Sequence, residues 1–451
     1  MKYTPHSPED IKEMLRGIGV KNIAELFGDI PEDFRPSSFK LPEGLSEFEA
    51  LDYFKGLAKK NSSGLLHFVG GGFYDHYIPS VVEALSSRAE FSTAYTPYQP
   101  ESSQGTLQAL YEYQTVICEL TGMDAANASL YDGATALYEA MLMAIRINGR
   151  NKVLIDSGVN AIYRKIIYTY TSNLDIEFVE IPVAHGQSDR SEIANFLDDK
   201  TSAIILQNPN FFGAVDDHSD IIDKAHNLGA LAIESVYPIS LGLLKTPGEM
   251  GADIVTGEGQ SLGNPLSFGG PYLGFIATKT EYIRKMPGRI CGKTVDINGK
   301  EGFVLTLQAR EQHIRRQKAT SNICSNQNLC ALRALIYLCV LGKKGLKTLA
   351  RELYDRSEYA KGALEAIAGL EVKRSSPTFN EFTVHLPVDA SVIVKELFAS
   401  GIACGIPLGN YYAGMEKYLL IAVTEKHSKQ DIRRLAENME KTLCSLSSKK
   451  A

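Results

Sequence analysis

From about Gln104 onward the chain alternates helix-length stretches with short apolar runs: "KVLID" (152–156), "IEFVEIP" (176–182), "SAIILQNP" (202–209), "GALAIES" (229–235) and "GADIV" (251–255). Strand-length runs separated by helical crossovers predict a largely parallel sheet with both faces covered, so the fold class is α/β. A helix-length stretch separates the first two runs, and "DDHSDIIDKAHNLG" (216–229) supplies another that closes on a glycine. After Asn326 apolar residues recur at helical spacing through "LCALRALIYLCVL", which predicts a long helix to about Ala368. The pattern then shortens: "FNEFTVHLP" (379–387), a helix near 390–399, "YLLIAVTE" (418–425) and a closing helix from Ser428 to about Leu446 predict a small α+β domain.

The N-terminal part reads differently. Ser7-Pro8-Glu9-Asp10 places a cap residue, a proline and two acids ahead of a short helix over Ile11 to Arg16. Glycines and prolines then punctuate the chain through Leu41-Pro42-Glu43-Gly44, so the segment is expected to be a helical, loop-rich arm of the kind that wraps a neighbouring subunit. The expected division is an arm over 1–65, a large α/β domain over 66–330, and a linking helix with the small domain over 331–451.

Composition narrows the function classes. The 451 residues are 44% hydrophobic and 22% charged, which excludes wholesale disorder, collagen and coiled coil. Forty-seven basic against 53 acidic residues give a net charge of -6, so the chain lacks the positive field that phosphate backbones attract, and nucleic acid is not an expected partner. No run of about 18 apolar residues occurs, and Met1 to Pro8 lacks the head and apolar run of a signal peptide. A cytoplasmic protein without a membrane partner is expected. The seven cysteines are scattered without a CxxC pair, so free thiols are expected and no metal site.

Four stretches could carry chemistry. In "SLYDGATALYEAMLMA" (129–144) an apolar strand end meets Asp132, Gly133 and Thr135 and then a helix, a junction that suits an anion although an ordinary capped turn looks the same. "HFVGGGFYDHYIP" (67–79) sets three glycines beside Tyr74, His76 and Tyr77, allowing close backbone approach to a ligand or simply a surface loop. In "STAYTPYQPESSQG" (92–105) Pro97 and Pro100 stiffen a loop in which Tyr95, Tyr98, Gln99, Glu101 and Gln104 offer donors and acceptors, which suits a binding wall. "TLQAREQHIRRQKATSNICSNQ" (306–327) holds Arg310, Arg315, Arg316 and Lys318 beside Glu311 and His313. That block is either a solvated helix with a Glu311–Arg315 pair or a carboxylate or phosphate clamp built on Arg310 and Arg315.

Taken together, "GGGFYDHYIP", "YTPYQPESSQG", "NASLYDGATA", "GEGQSLGNPLSFGGPYLG", "MPGRICGKTVDINGKEGFVLTLQAREQHIRRQKATSNICSNQ" and the closing "NEF" and "VTE" resemble the glycine decarboxylase P-protein of the glycine cleavage system, in the branch whose α half is a separate subunit. The blocks run in family order from about residue 2 to residue 440. The resemblance implies a fold-type I pyridoxal-phosphate (PLP) architecture like aspartate aminotransferase. The implied activity is glycine dehydrogenase (aminomethyl-transferring, decarboxylating), which removes CO₂ from glycine and passes the aminomethyl group to the lipoyl arm of the H-protein. PLP serves as the electron sink.

That chemistry needs a lysine to hold PLP, and no lysine lies between Lys245 and Lys279. In the family's β subunit the lysine belongs to a His-Lys-Thr motif just before a glycine-rich stretch. Alignment on Gly269-Gly270-Pro271 sets Gln260, or Ser261 with one gap, at that position, and neither can form the Schiff base. The aspartate that faces the pyridine nitrogen in the family has no clear equivalent, Glu234 being the nearest acid. The resemblance therefore implies a chain that does not anchor PLP and completes the site of a β subunit in an α₂β₂ assembly. Tyr95, Tyr98, Glu101, Gln104, Tyr74 and His76 would line a channel across the interface, and Asp132, Gly133 and Thr135 would be a vestigial phosphate seat. The alternatives are an independent PLP enzyme using Lys245, Lys279 or Lys318, and a scaffold that only stabilises its partner.

Overall fold

The computed structural model describes residues 5–38, 40–61, 64–184, 187–188, 190–325 and 327–448. It divides into two compact units, Met1–Ser63 and Gly64–Ala451. In the first, helix α1 (Pro8–Ile18) starts on Ser7, whose hydroxyl accepts the Asp10 N–H while the Asp10 carboxylate accepts the Ser7 N–H. This reciprocal cap and the left-handed Gly19 extend the helix beyond the expected Ile11 to Arg16 at both ends. Helix α2 (Glu47–Ala58) repeats the device with Ser46 and Glu49, yet buries none of its residues. Phe48 and Phe54 on it are 80% and 65% exposed.

The second unit is built on one seven-stranded sheet of β1 (Ala125–Ala126), β2 (Lys152–Asp156), β3 (Glu177–Ile181), β4 (Thr201–Asn208), β5 (Leu231–Val236), β6 (Ile254–Glu258) and β7 (Gly274–Thr278), in the order β1-β7-β6-β5-β4-β2-β3. Strands β3, β2, β4, β5 and β6 run parallel, and β7 is antiparallel to both its neighbours. Alternate residues of the central strands serve opposite cores. Leu154, Ile204, Leu206 and Val255 pack with Leu107, Leu110 and Ile117 of α3 (Gln104–Thr121). On the other face Val153, Ile155, Ile205 and Ile233 pack with Leu137, Ala140 and Met141 of α4 (Gly133–Asn148) and Ile167 of α5 (Ala161–Thr171). Burial on both faces explains why these strands read as continuous apolar runs.

The "GADIV" run is the one displaced strand. Gly251, at φ +99°, closes a short preceding helix (Pro247–Met250), so β6 begins at Ile254 and carries Glu258 to its carboxyl end. Beyond the sheet come the hairpin β8 (Ile290–Val295) and β9 (Glu301–Thr306) and helix α6 (Asn328–Glu365), interrupted at Gly342. The chain then forms a four-stranded antiparallel sheet of β10 (Glu371–Val372), β11 (Glu381–His385), β12 (Ile406–Pro407) and β13 (Tyr418–Ala422), ordered β10-β11-β13-β12. It shares a core with α7 (Ala390–Ala399) and α8 (Lys429–Ser448). Among the described residues no helix is long and apolar enough to cross a membrane.

The chain order turns outward from β2 to β3 and then returns to β4, so the crevice outside the carboxyl ends of β2 and β4 is where ligands of such sheets bind. The first turn of α4 opens beside it, and its position depends on the packed helix beneath. Leu137, fully buried in that core, is its anchor. Replacing Leu137 with Ala is expected to cost about 2–5 kcal/mol of unfolding free energy, read from urea denaturation of the full chain.

Candidate functional site

The N-terminus of α4 is capped by Asp132, whose Oδ1 accepts the Thr135 N–H at 2.7 Å and its hydroxyl at 3.0 Å. The next donor, the Gly133 N–H, points at a carboxylate of the protein itself: Glu258 Oε2 accepts it at 2.9 Å. The other oxygen of Glu258 accepts from the Gln260 N–H at 2.9 Å and the Leu273 N–H at 3.2 Å. Only 5% of Glu258 is exposed. Burial pushes this carboxyl up to about 8, against the three N–H donors that favour its charge.

Gln260 and Ser261 sit in the turn after β6, and both are buried. The Gln260 side chain is committed: Oε1 accepts the Tyr74 N–H at 3.0 Å, and Nε2 donates to the Tyr74 carbonyl at 3.1 Å and the Asn264 carbonyl at 2.8 Å. The Ser261 hydroxyl has no partner in the structure. From the other side Glu381, at the start of β11, accepts the Tyr74 hydroxyl at 2.6 Å and the Gly71 N–H at 2.6 Å. Burial lifts Glu381 to about 7, opposed by these two donors. His76 continues the stitching, with Nδ1 2.8 Å from Glu425 and Nε2 2.5 Å from the Tyr237 hydroxyl. The glycines here do permit close approach, but to the protein: a Cβ on Gly70 would lie 2.2 Å from Glu381 Oε1. Tyr74 and His76 are thus interior residues and do not line an open channel, a correction to the sequence expectation.

Between these groups, at the switch point, a cavity of about 30 Å³ remains, lined among others by Tyr74, Asn160, Tyr163, Gln207, Tyr237 and Glu258. That admits a water or two, where small-molecule sites typically offer about 300–1,000 Å³. Among the described residues no lysine lines it. Lys245 reaches Asp217 and Ser219, Lys279 reaches Asp253 at 2.5 Å, and Lys318 is exposed. Glu234 is turned away from the cavity to His218 Nδ1 at 3.1 Å, and although burial opposes it, this carboxylate raises His218 to about 9.

The tyrosines of the 92–105 loop lie at the surface. Tyr95 is 83% exposed and Tyr98 46%. The Tyr98 hydroxyl accepts from Arg289 Nη2 at 3.3 Å, with the guanidinium 5.5 Å from the ring centroid and the His313 ring at 5.4 Å. Glu101 is exposed beside them. Gln104 has its amide fully used, donating to the Pro100 and Phe303 carbonyls and accepting the Phe303 N–H, so it fastens α3 to β9. The clamp expected from Arg310 and Arg315 is not formed. Arg310 is turned inward onto the Met286 and Gly288 carbonyls, and Arg315 donates to the Ala309 carbonyl. The expected Glu311–Arg315 pair is replaced by Arg310–Glu311 at 3.8 Å, because the α-helix there is only the single turn Gln312–Arg315, with Glu311 at its cap, between two short 3₁₀ turns.

This geometry belongs to the fold-type I architecture of PLP-dependent enzymes, which Lactobacillus brevis glutamate decarboxylase shares at a TM-score of 0.68 and 12% identity over 93% of this chain and 98% of that one. Within that class the chain belongs to the glycine cleavage system P-protein family, whose model matches residues 1–439. The probable glycine dehydrogenase (decarboxylating) subunit 1 of Geotalea uraniireducens is 59% identical, covering 98% of this chain and all of the relative. That of Oleidesulfovibrio alaskensis is 53% identical over 97% of this chain and 99% of its own. A solved glycine decarboxylase (P-protein), in inhibitor-bound form, superposes with a TM-score of 0.92 at 42% identity, covering 98% of this chain and all of that one. The residues present here nevertheless do not fit PLP: the seat holds a carboxylate, the candidate anchoring position is an engaged amide, and the cavity is too small.

Glu258, Glu381, Glu425, Tyr163 and Tyr237 escaped the sequence reading, although Glu381 and Glu425 belong to the "NEF" and "VTE" blocks and Glu258 stands between two glycines. Three buried groups here bend stability with pH in the same direction. Glu381 and Glu258 have raised folded-state values, so the stability they contribute when protonated is complete below the ordinary carboxyl range and is lost as pH rises from there to about 7 and about 8. His218 is also raised, so its contribution is complete below the ordinary histidine range and is lost as pH rises through about 9. The thermal midpoint should therefore fall from mildly acid to mildly alkaline pH. Glu381→Gln, which cannot ionise, should flatten the part of that decline between the ordinary carboxyl range and about 7, as measured by calorimetry across a pH series.

Proposed function

We propose that this chain is the half of a two-subunit glycine dehydrogenase (decarboxylating) that does not anchor the cofactor. A β subunit holds PLP on its own lysine, glycine loses CO₂ there, and the aminomethyl group passes to the lipoyl arm of the H-protein. The cofactor supplies an electron sink at the carbon that loses CO₂. The single observation that supports this division is the filled crevice of the present chain, where Glu258 and the Gln260–Tyr74 clamp leave about 30 Å³.

The contribution of this chain is then made from its surface. Tyr95 and Tyr98 stand on a loop stiffened by Pro97 and Pro100, and so are presented at low entropic cost. A phenol offers an apolar ring that excludes water and a hydroxyl that can donate to a small polar substrate. With Glu101 close by in the same loop, these two tyrosines form this chain's wall of the channel to the cofactor on β. The exposed apolar side chains of the first unit, Phe34, Leu41, Phe48 and Phe54 among them, likewise suit a partner surface in an α₂β₂ assembly.

The purified chain alone, incubated with PLP and reduced with borohydride, is expected to give no pyridoxyl-lysine; stoichiometric labelling of one lysine would overturn the division of labour. In the reconstituted complex, Tyr95→Phe or Tyr98→Phe should lower turnover roughly 10- to 1000-fold, about 1.4 kcal/mol per tenfold, with assembly unchanged. Wild-type turnover in both variants would leave the chain a scaffold.

A further inference from the structure

We infer that the Glu258 carboxyl group takes the place of a cofactor's phosphate at the N-terminus of α4 and keeps the crevice closed. The inference rests on the proposal that PLP belongs to the partner subunit, and it names the residue that excludes the cofactor here. A helix N-terminus presents unpaired N–H groups and a partial positive charge, the arrangement that draws phosphate in other proteins. In this chain the seat is already occupied. Its donors come from three places: Gly133 in the first turn of α4, Gln260 just past β6, and Leu273 at the entry to β7. All three converge on one carboxyl group, and both of its oxygens are used.

Capping alone does not account for that convergence, because Asp132 already serves as the cap and takes the Thr135 N–H. The local packing brings the side chain in from β6 and leaves a cavity of only about 30 Å³ beside it. A Cβ on Gly133 would lie 3.0 Å from Glu258 Cβ and 2.8 Å from the Tyr163 hydroxyl, so only glycine lets the end of β6 approach the helix this closely. A catalytic acid at this position is excluded by the same crowding, since the cavity that Glu258 faces holds no substrate-sized space. The Gln260 side chain, clamped to Tyr74, closes the neighbouring wall, while its own N–H is one of the seat's three donors.

The test uses the full chain with inorganic phosphate and free PLP as probes, comparing the wild type, Glu258→Ala, Glu258→Ser and Glu258→Gln by equilibrium dialysis and thermal shift. Alanine or serine at 258 frees the three donors and should bind phosphate at least about tenfold more tightly than the wild type, with a saturable rise in melting temperature. Glutamine keeps the volume and an acceptor oxygen and should stay closed. Should the truncated variants fold poorly, recovery of the folded state by added phosphate supports the inference, and failure of phosphate to restore it counts against it. Folded alanine and serine variants that bind phosphate no better than the wild type overturn the role of Glu258 and leave the division between subunits standing. A wild-type chain that itself binds phosphate at this seat overturns the role of Glu258, and one that binds PLP there overturns the division between subunits as well.

Discussion

Backbone N–H groups at the end of a helix must be satisfied, and at α4 the satisfaction comes from the opposite side of the crevice. The bond from Gly133 to Glu258 joins the helix to the end of β6, and the same carboxyl group takes the Gln260 N–H and the Leu273 N–H at the start of β7. An unpaired buried donor would cost about 1–3 kcal/mol, so withdrawing this one side chain would unsettle three segments at once. The crevice at the switch point of the sheet is therefore part of the core here.

The glycine-rich segment depends on that arrangement. Gln260 can hold both main-chain groups of Tyr74 because the turn after β6 is itself held by Glu258. Tyr74 in turn reaches Glu381 in the C-terminal sheet, and His76 reaches Glu425 beyond its last strand. A chain of buried polar contacts thus runs from the large sheet through residues 71–76 to the small one. Polar networks of this kind stabilise only when every member is satisfied, so a single truncation should be felt at both ends.

The architecture was legible in the sequence because its strands are buried on both faces and announce themselves as apolar runs; the parallel order follows from the helices between them. Gly251 moved one boundary, since a short capped helix consumed the start of "GADIV". The N-terminus of α4 was equally visible in Asp132 and Gly133, and the family blocks located Gln260. What occupied the seat was not visible, because the contact between Gly133 and Glu258 spans 125 residues and only the fold brings them together. For the same reason Tyr74 and His76 looked like binding groups: a polar aromatic beside glycines has the same local pattern whether its partner is a ligand or Glu381. Arg310 misled in the opposite way, because its guanidinium satisfies the carbonyls of a loop some twenty residues earlier.

A protein whose ligand pocket stays open in the absence of ligand gains stability by mass action when that ligand is abundant, and loses it when supply fails. Because Glu258 is tethered by its own backbone to the groups it serves, this chain carries the occupant of its seat at a fixed effective concentration. On the proposed division of labour, its folded population would not depend on the supply of PLP.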